Sequence, residues 1–181
     1  MTERRNTLEL RADGKRLIGY AAVFNTPSLD LGGFVETIAP GAFARSLSET
    51  PDVIALWDHD SRSVLGRTKS GTLRLSEDTR GLRFEIDAPN TTIGNDVLEM
   101  VGRGDVTGAS FAFNVKEHRW QERDGDLPMR ELIDVDLTDV TITPNPAYPD
   151  TEVARRSLDG LHKPVFRLYT ARALELMEVG L

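Results

Sequence analysis

The sequence contains no cysteine among its 181 residues, so neither a disulfide framework nor a zinc site with thiolate ligands can form. Long apolar runs are missing too, since no stretch approaches the roughly 18 residues that a membrane-spanning helix needs. The N-terminal MTERRNTLEL lacks the apolar run that follows the basic residues of a secretory signal. These absences predict a soluble protein with no membrane partner.

Positive charge is scarce, because 22 Lys and Arg stand against 29 Asp and Glu, for a formal net charge of -7. The densest basic patch, Arg155-Arg156, is two residues long. A nucleic-acid surface needs clustered cations to contact phosphates, so no nucleic-acid partner is expected. Histidine is rare as well, and no second histidine lies at ligand spacing from His59, so no metal site is predicted.

The residues that are present have the composition of a globular protein, with 39% apolar and 28% charged side chains. Alternating or continuous apolar segments predict about seven short strands, drawn from residues 8–24, 31–38, 52–57, 64–67, 71–75, 82–86, 106–120 and 131–142. Helices are predicted at 41–47 and 90–102, and the tail at 165–181 is helix-like. We therefore expect a β-rich α+β fold, a roughly seven-stranded, barrel-like antiparallel sheet with two or three flanking helices.

His59 is the histidine best placed for chemistry. It follows a buried strand where the chain turns polar, so a rigid backbone can hold its imidazole in a cleft as a general base. The alternative is a solvated loop histidine paired with Asp58 or Asp60, and position alone does not separate the two. His118 and His162 lie among charged or loop residues and are interpreted as surface histidines.

Ser110 lies on a predicted strand whose opposite face carries Phe111 and Phe113. The small Gly108 and Ala109 before it leave room for another backbone, such as a peptide substrate, to approach closely. A serine hydroxyl is a poor nucleophile until a base takes its proton, so it must meet a histidine in space. A serine on a strand is more often structural, and this signal by itself is weak.

A third side chain would orient the imidazole and stabilise its charged form. The candidates are the acids of the last predicted strand: Glu131, Asp134, Asp136 and Asp139. Asp139 shares a strand face with two apolar residues, where a carboxylate needs a partner. Strand ends often carry solvated acids, however, so the residues themselves leave all four candidates open.

Five segments in order carry a resemblance to a known family: GYAAVFNTPS, GGFVETIAPGAF, WDHDSRSVLGRTKSGTLRLSEDTRGLRFEI, GDVTGASFAF and DVTITPNPAYPD. Together they resemble the maturation proteases of tailed-bacteriophage proheads (procapsids), whose fold is related to herpesvirus assemblin. The resemblance runs from about residue 19 to residue 150. It implies a serine endopeptidase with a herpesvirus-protease-like fold, and we expect a protease domain at 1–150 followed by a partly helical tail at 151–181.

The resemblance assigns the site residues. It implies that Ser110 is the nucleophile, His59 the base and Asp139 the acid that completes a triad, with no cofactor and no metal. Asp139 stands where the family more commonly has Glu, and Thr141 stands where Ser is expected. For the oxyanion hole the family generally uses backbone amides and an arginine, so the resemblance offers Arg67 and Arg103, although either arginine also fits a surface charge.

The implied substrates are the scaffolding segment of the major capsid protein and the protease itself, inside an assembling procapsid in the host bacterial cytoplasm. A phage, a prophage and a gene-transfer particle would use the same enzyme, and homo-oligomers stay possible. The tail at 151–181 is interpreted either as an autoprocessed or shell-docking segment or as a helix packed on the barrel. Two rival functions remain: an inactive capsid-assembly module of the same fold, and a metal-dependent hydrolase built around His59.

Overall fold

Strands dominate the computed structural model, which describes residues 2–7, 9–49 and 51–144. Within these residues the ten strands are β1 (Thr2–Thr7), β2 (Glu9–Asp13), β3 (Arg16–Val23), β4 (Val35–Ile38), β5 (Ile54–Trp57), β6 (Asp60–Arg67), β7 (Leu73–Glu77), β8 (Gly81–Asp87), β9 (Gly108–Gln121) and β10 (Met129–Thr143). The two helices are α1 (Ala44–Ser48) and α2 (Thr92–Arg103). The β-rich α+β class expected from the sequence is confirmed.

The first sheet is built on the long antiparallel pair of β9 and β10. Its order is β1-β9-β10-β5-β6, and β4 also pairs with β10. One edge of β10 therefore takes two parallel partners in succession, β4 at residues 129–132 and β5 at residues 139–142. Register shifts between β9 and β10 mark bulges, which bend long strands, and the sheet curls into a half-barrel.

The second sheet is fully antiparallel, in the order β2-β3-β8-β7. Its first hairpin closes with two residues between the paired Asp13 and Arg16, and Gly14 supplies the positive φ of 62° that such a tight loop requires. The inner faces of both sheets contribute to one buried apolar cluster, which contains Phe84 from β8 and Phe111 from β9. This cluster holds the two sheets together.

Helix α2 has the caps that its sequence suggests, one or two residues later than predicted. The Thr91 hydroxyl accepts a hydrogen bond from the Gly94 amide at 3.3 Å, so the helix is capped one residue after its predicted start at residue 90. The helix continues through Gly102, the predicted end, and stops at Gly104, which adopts a left-handed φ of 80°.

Strand β1 was not predicted, because its sequence TERRNT has no apolar residue. Two of its side chains are nevertheless buried in an ion cluster made of Glu3, Arg5, Glu36 and Arg130. Arg5 contacts Glu36 at 2.7 Å and Glu3 at 2.8 Å, and Arg130 binds both carboxylates. The guanidinium of Arg130, which is 1% exposed, also lies 5.2 Å from the centre of the Phe34 ring. The ion cluster ties β1 to β4 and β10.

Some sequence predictions fall outside the described part of the chain. The boundary at residue 150 and the tail at 151–181 are among them, as is His162.

In the part that is described, neither helix is long and apolar enough to cross a membrane. The first sheet is mixed rather than wholly antiparallel, because both of its short strands run parallel to β10.

Candidate active site

His59 lies at the tip of the hairpin between β5 and β6. Trp57 pairs with Asp60, so Asp58 and His59 form a two-residue loop. Both loop residues have positive φ, 47° at Asp58 and 56° at His59, as a type I′ turn requires. Such turns favour Gly, Asn and Asp, so His59 is the unusual residue of this pair. The turn therefore holds the imidazole on a tightly bent and sterically restricted backbone.

The same turn is fastened to the end of β10. The amide of Asp58 donates to the carbonyl of Ile142 at 2.9 Å, and the Thr143 hydroxyl donates to the Asp58 carboxylate at 2.9 Å. The parallel pairing of β5 with β10 places Trp57 beside Ile142. The backbone of His59 is thereby positioned against the strand that carries the acidic candidates.

Ser110 lies on β9, in the middle of the first sheet. Its Cα partners are Thr141 on β10 and Asn6 on β1. Side chains alternate along β10, so Asp139 lies on the same face as Thr141, next to the serine. The side chains of Phe111 and Phe113 are buried, and Ser110 itself is 0% exposed. The register of two central strands thus brings a hydroxyl and a carboxylate to one place.

Four side chains meet at this point. The His59 Nε2 atom lies 3.2 Å from the Ser110 Oγ atom, and Nδ1 of the same ring lies 3.4 Å from Asp139 Oδ1. The Thr141 hydroxyl lies 3.2 Å from His59 Nδ1 and 3.0 Å from Asp139 Oδ1. The side chains of His59 and Asp139 are 20% and 17% exposed. His59 therefore contacts both Ser110 and Asp139, the two residues that the resemblance singled out with it.

This arrangement is suited to moving a proton away from the serine. When the Ser110 hydroxyl donates to Nε2, the ring proton of neutral His59 resides on Nδ1, on the side of Thr141 and Asp139. A carboxylate on that side stabilises the imidazolium that forms when the ring accepts a second proton. The geometry fits a serine nucleophile with a histidine base and an orienting acid.

The other acids of β10 are bound elsewhere. Arg45 contacts Asp134 at 2.7 Å and Asp136 at 2.5 Å, and Glu131 pairs with an arginine of β9 at 3.3 Å. Hydrogen bonds from a β9 lysine and from Arg45 lower the pKa of Asp136. Of the four acidic candidates, Asp139 is the one whose carboxylate contacts the imidazole.

The two arginines suggested for an oxyanion hole are each paired with a carboxylate. Arg67 binds Asp52 through two nitrogens, at 2.7 and 2.6 Å, and Arg103 binds Asp105 at 2.9 Å. Their side chains are 47% and 64% exposed. Ile54 of β5 is the Cα partner of Arg67 on β6 and of Asp139 on β10. Arg67 and Asp139 therefore lie at the same level of the sheet, with β5 between their strands. The oxyanion role of either arginine stays a prediction.

The remaining histidine of the described chain, His118, lies on the exposed part of β9, where its ring meets Trp120 edge-on at 6.3 Å. Partial burial, and then the positive charge of Arg130, lower the pKa of His118. Its Cα partner is Leu132, near the opposite end of β10 from Asp139. Among the described residues, no group of three or more His, Asp or Glu is arranged to hold a metal ion.

Sequence reasoning missed the parts played by Thr141 and Thr143. The segment DVTIT contained a usable signal, because polar residues alternate with Val140 and Ile142. Alternation on a strand places Asp139 and both threonines on one face. A polar stripe of this kind inside a buried strand indicates a site or a hydrogen-bond network.

Comparison with known proteins adds one match. A family model described as Caudovirus prohead serine protease matches residues 3–164, which leaves the first two and the last 17 residues outside. The matched span contains His59, Ser110 and Asp139. No curated protein and no solved structure matches the chain.

Proposed function

Because the chain belongs to the caudovirus prohead serine protease family, we propose that Ser110, His59 and Asp139 are its catalytic residues. The observation that carries this proposal is the 3.2 Å contact between His59 Nε2 and Ser110 Oγ. The two residues are 51 positions apart in the sequence and come from different hairpins of the sheet. A contact of this kind between a nucleophile and a base is the first requirement for acyl transfer.

The proposed reaction has two halves. The Ser110 Oγ attacks the scissile carbonyl while His59 Nε2 takes its proton, and Asp139 stabilises the imidazolium. His59 then gives that proton to the leaving amine, so the peptide bond breaks and an acyl-enzyme remains. Water attacks the acyl-enzyme with His59 again as the base, which frees the new carboxylate and restores the Ser110 hydroxyl. These steps need no cofactor.

Stabilising the tetrahedral oxyanion requires further hydrogen-bond donors. Backbone amides and either Arg67 or Arg103 are the candidates. Arg67 lies level with Asp139 in the sheet, and its ion pair with Asp52 uses only Nε and Nη2, so further N–H groups can donate to a substrate oxygen. Arg103 contacts Asp105 through Nε and likewise retains N–H donors.

Substrate entry requires a movement. Ser110 is 0% exposed, so a polypeptide reaches its hydroxyl only after neighbouring residues shift. The proposed enzyme is therefore closed until a substrate engages it.

The substrates in this proposal are the scaffolding segment of the major capsid protein and the protease itself. Cleavage takes place inside the assembling procapsid, in the cytoplasm of the bacterial host. Packaging both proteins in one shell raises their effective concentration, so tight substrate binding is not required. The tail at 151–181 is the proposed site of self-cleavage or of docking to the shell.

Co-expression with the neighbouring capsid protein tests the proposal. The wild-type chain should shorten the capsid subunit, and Ser110→Ala should abolish this shortening because the nucleophile is gone. Ser48→Ala is the matched control, since Ser48 is an exposed serine at the end of α1 and should leave processing intact. A capsid subunit shortened equally by Ser110→Ala would remove the nucleophile assignment.

Two further measurements on the same samples test the metal-dependent alternative and the proposed self-cleavage. The serine mechanism predicts that a chelator leaves processing unchanged, whereas a metal-dependent hydrolase built around His59 would lose activity. The intact mass of the purified protease tests self-cleavage. A full-length C-terminus in a sample that processes the capsid protein would argue against it.

A further inference from the structure

The Thr141 hydroxyl lies between the base and the acid of the proposed triad. Its distances are 3.2 Å to His59 Nδ1 and 3.0 Å to Asp139 Oδ1. Both are within the range of protein hydrogen bonds, whereas the direct separation of His59 Nδ1 and Asp139 Oδ1, 3.4 Å, exceeds it. In this structure the hydrogen-bonded route from imidazole to carboxylate therefore passes through the threonine.

The donors and acceptors along this route have one consistent direction. Ser110 donates its hydroxyl proton to His59 Nε2, so the ring proton lies on Nδ1 and is donated to the Thr141 oxygen. The Thr141 hydroxyl in turn donates to Asp139, which as a carboxylate can only accept. Every polar atom in the series has a partner, and reversing one bond would leave another without one.

Thr141 is also held firmly in place. It lies on the central strand β10, with Ser110 as its Cα partner on one side and Leu56 on the other, and it is 0% exposed. A β-branched side chain has few allowed χ1 angles, so its hydroxyl is confined to a small region. Full burial means that the hydroxyl has no competing contact with bulk water.

We infer that Thr141 is a positioning residue, which fixes the tautomer of His59 and connects its imidazole to Asp139. This inference rests on the proposed catalytic roles of Ser110 and His59. The short side chain of Asp139 does not reach Nδ1 within hydrogen-bonding distance, and the threonine hydroxyl spans that gap. Without the hydroxyl, the ring proton can move to Nε2, where the ring can no longer accept the serine proton.

The test compares purified full-length variants on a peptide that spans the capsid bond cleaved in co-expression. Thr141→Val keeps the shape of the side chain and removes the hydroxyl. We expect kcat to fall by about 10- to 100-fold, as for the loss of a hydrogen bond to a charged group, with KM unchanged because the buried residue does not touch substrate. Thr141→Ser should restore most of kcat, since it keeps the hydroxyl.

The pH profile gives a signature that a purely structural role would not produce. Losing an acceptor on Nδ1 disfavours the imidazolium, so the acidic limb of kcat/KM should move to lower pH in Thr141→Val and return in Thr141→Ser. Thr37→Val is the matched control. Thr37 is a buried threonine on β4, and its Cα partner on β10 is Glu131, which lies ten residues from Thr141. It should leave kcat and the pH profile unchanged.

The outcomes distinguish the two proposals. If Thr141→Val has wild-type kcat and pH profile while Ser110→Ala is inactive, the positioning role is wrong and the serine mechanism stands. A lower kcat that serine does not restore, with an unmoved pH profile, also overturns the role. An active Ser110→Ala overturns the proposed function itself. If Thr141→Val does not fold, Thr141→Cys replaces it, because a thiol fills the same position and hydrogen-bonds weakly.

Discussion

Asp58 and His59 adopt consecutive left-handed backbone conformations, which cost most L-residues roughly 1–2 kcal/mol but are tolerated better by Asp. An Asn-Gly pair would form the same turn with less strain. Strain of this kind persists where the surrounding structure enforces it, and here the Thr143 hydroxyl and the Ile142 carbonyl hold Asp58 in place. The more strained residue of this turn is therefore the one that carries the imidazole.

Substitutions at Asp58 test this arrangement. Asp58→Val places a β-branched residue at positive φ and removes the acceptor for Thr143, so we expect a loss of about 1–3 kcal/mol in the free energy of unfolding and a lower kcat. Asp58→Asn tolerates the left-handed conformation and retains an acceptor oxygen, so it should stay close to wild type. Urea unfolding and peptide cleavage measure both quantities. A valine variant as stable and active as the asparagine variant would contradict this account of the turn.

Residue identities alone gave only part of the site. The resemblance singled out His59, Ser110 and Asp139, and the structure brings these three into contact, although their catalytic roles stay proposals. The sequence did not predict that Thr141 lies between the imidazole and the carboxylate. It depends on the register of β9 against β10, which shifts at a bulge between Leu137 and Asp139. Local patterning does not encode such a shift.

At the scale of elements, β1 is the clearest failure of sequence reasoning. Hydrophobic periodicity finds strands that bury apolar side chains, but β1 buries Glu3 and Arg5 instead. Burial of these charges is tolerated because Glu36 and Arg130 pair with them. The helices and the apolar strands, by contrast, lie close to their predicted positions, since their burial follows the expected periodicity.

The ion cluster should stabilise β1, the strand that it connects to β4 and β10. Arg130→Met leaves two buried carboxylates with fewer partners, so the free energy of unfolding should fall by about 3–5 kcal/mol. Arg11→Met is the matched control, because Arg11 is 65% exposed and its loss should change stability by less than about 0.5 kcal/mol. Chemical denaturation measures both variants. Equal stability of the two would show that the buried charges do not secure β1.

At the scale of the whole molecule, the sequence predicted the class of the fold but not the division into two sheets. Alternation identifies strands and their inward faces, whereas sheet membership depends on pairing partners far apart in the chain. The parallel placement of β4 and β5 along one edge of β10 is a pairing of this kind. No pattern within either short strand specifies it.

Acid stability is a property of the whole molecule, because many carboxyl groups contribute to it. Burial alone would raise the pKa of Glu3, but hydrogen bonds and charge from Arg130 and Arg5 outweigh burial and lower the pKa below its ordinary value of 4.5. The pKa is likewise lowered at seven exposed or half-buried acids: Asp30, Asp52, Asp60, Asp78, Glu85, Asp87 and Asp136. Solvent screening reduces the contribution of the exposed members of this group.

The sign of the effect follows from the lowered pKa values. A carboxyl group that binds its proton less readily in the folded state stabilises the fold above its unfolded pKa and loses this contribution as the pH falls through the folded pKa. We therefore expect the Tm to be high at neutral pH and to fall steadily below about pH 4.5. Thermal unfolding between about pH 7 and pH 3 measures it, and the decline should be shallower in Glu3→Gln. A Tm that rises on acidification would contradict the prediction.

The complete burial of Ser110 has a practical consequence for chemical labelling. An electrophilic probe cannot bond to a hydroxyl that presents no surface, so modification must wait for a transient opening of the fold. When opening and closing are fast, the labelling rate is the intrinsic reactivity multiplied by the fraction of open molecules. If Ser110 is the nucleophile, as proposed, the rate at which a covalent inhibitor of serine hydrolases labels it would report the fraction of molecules in the open state.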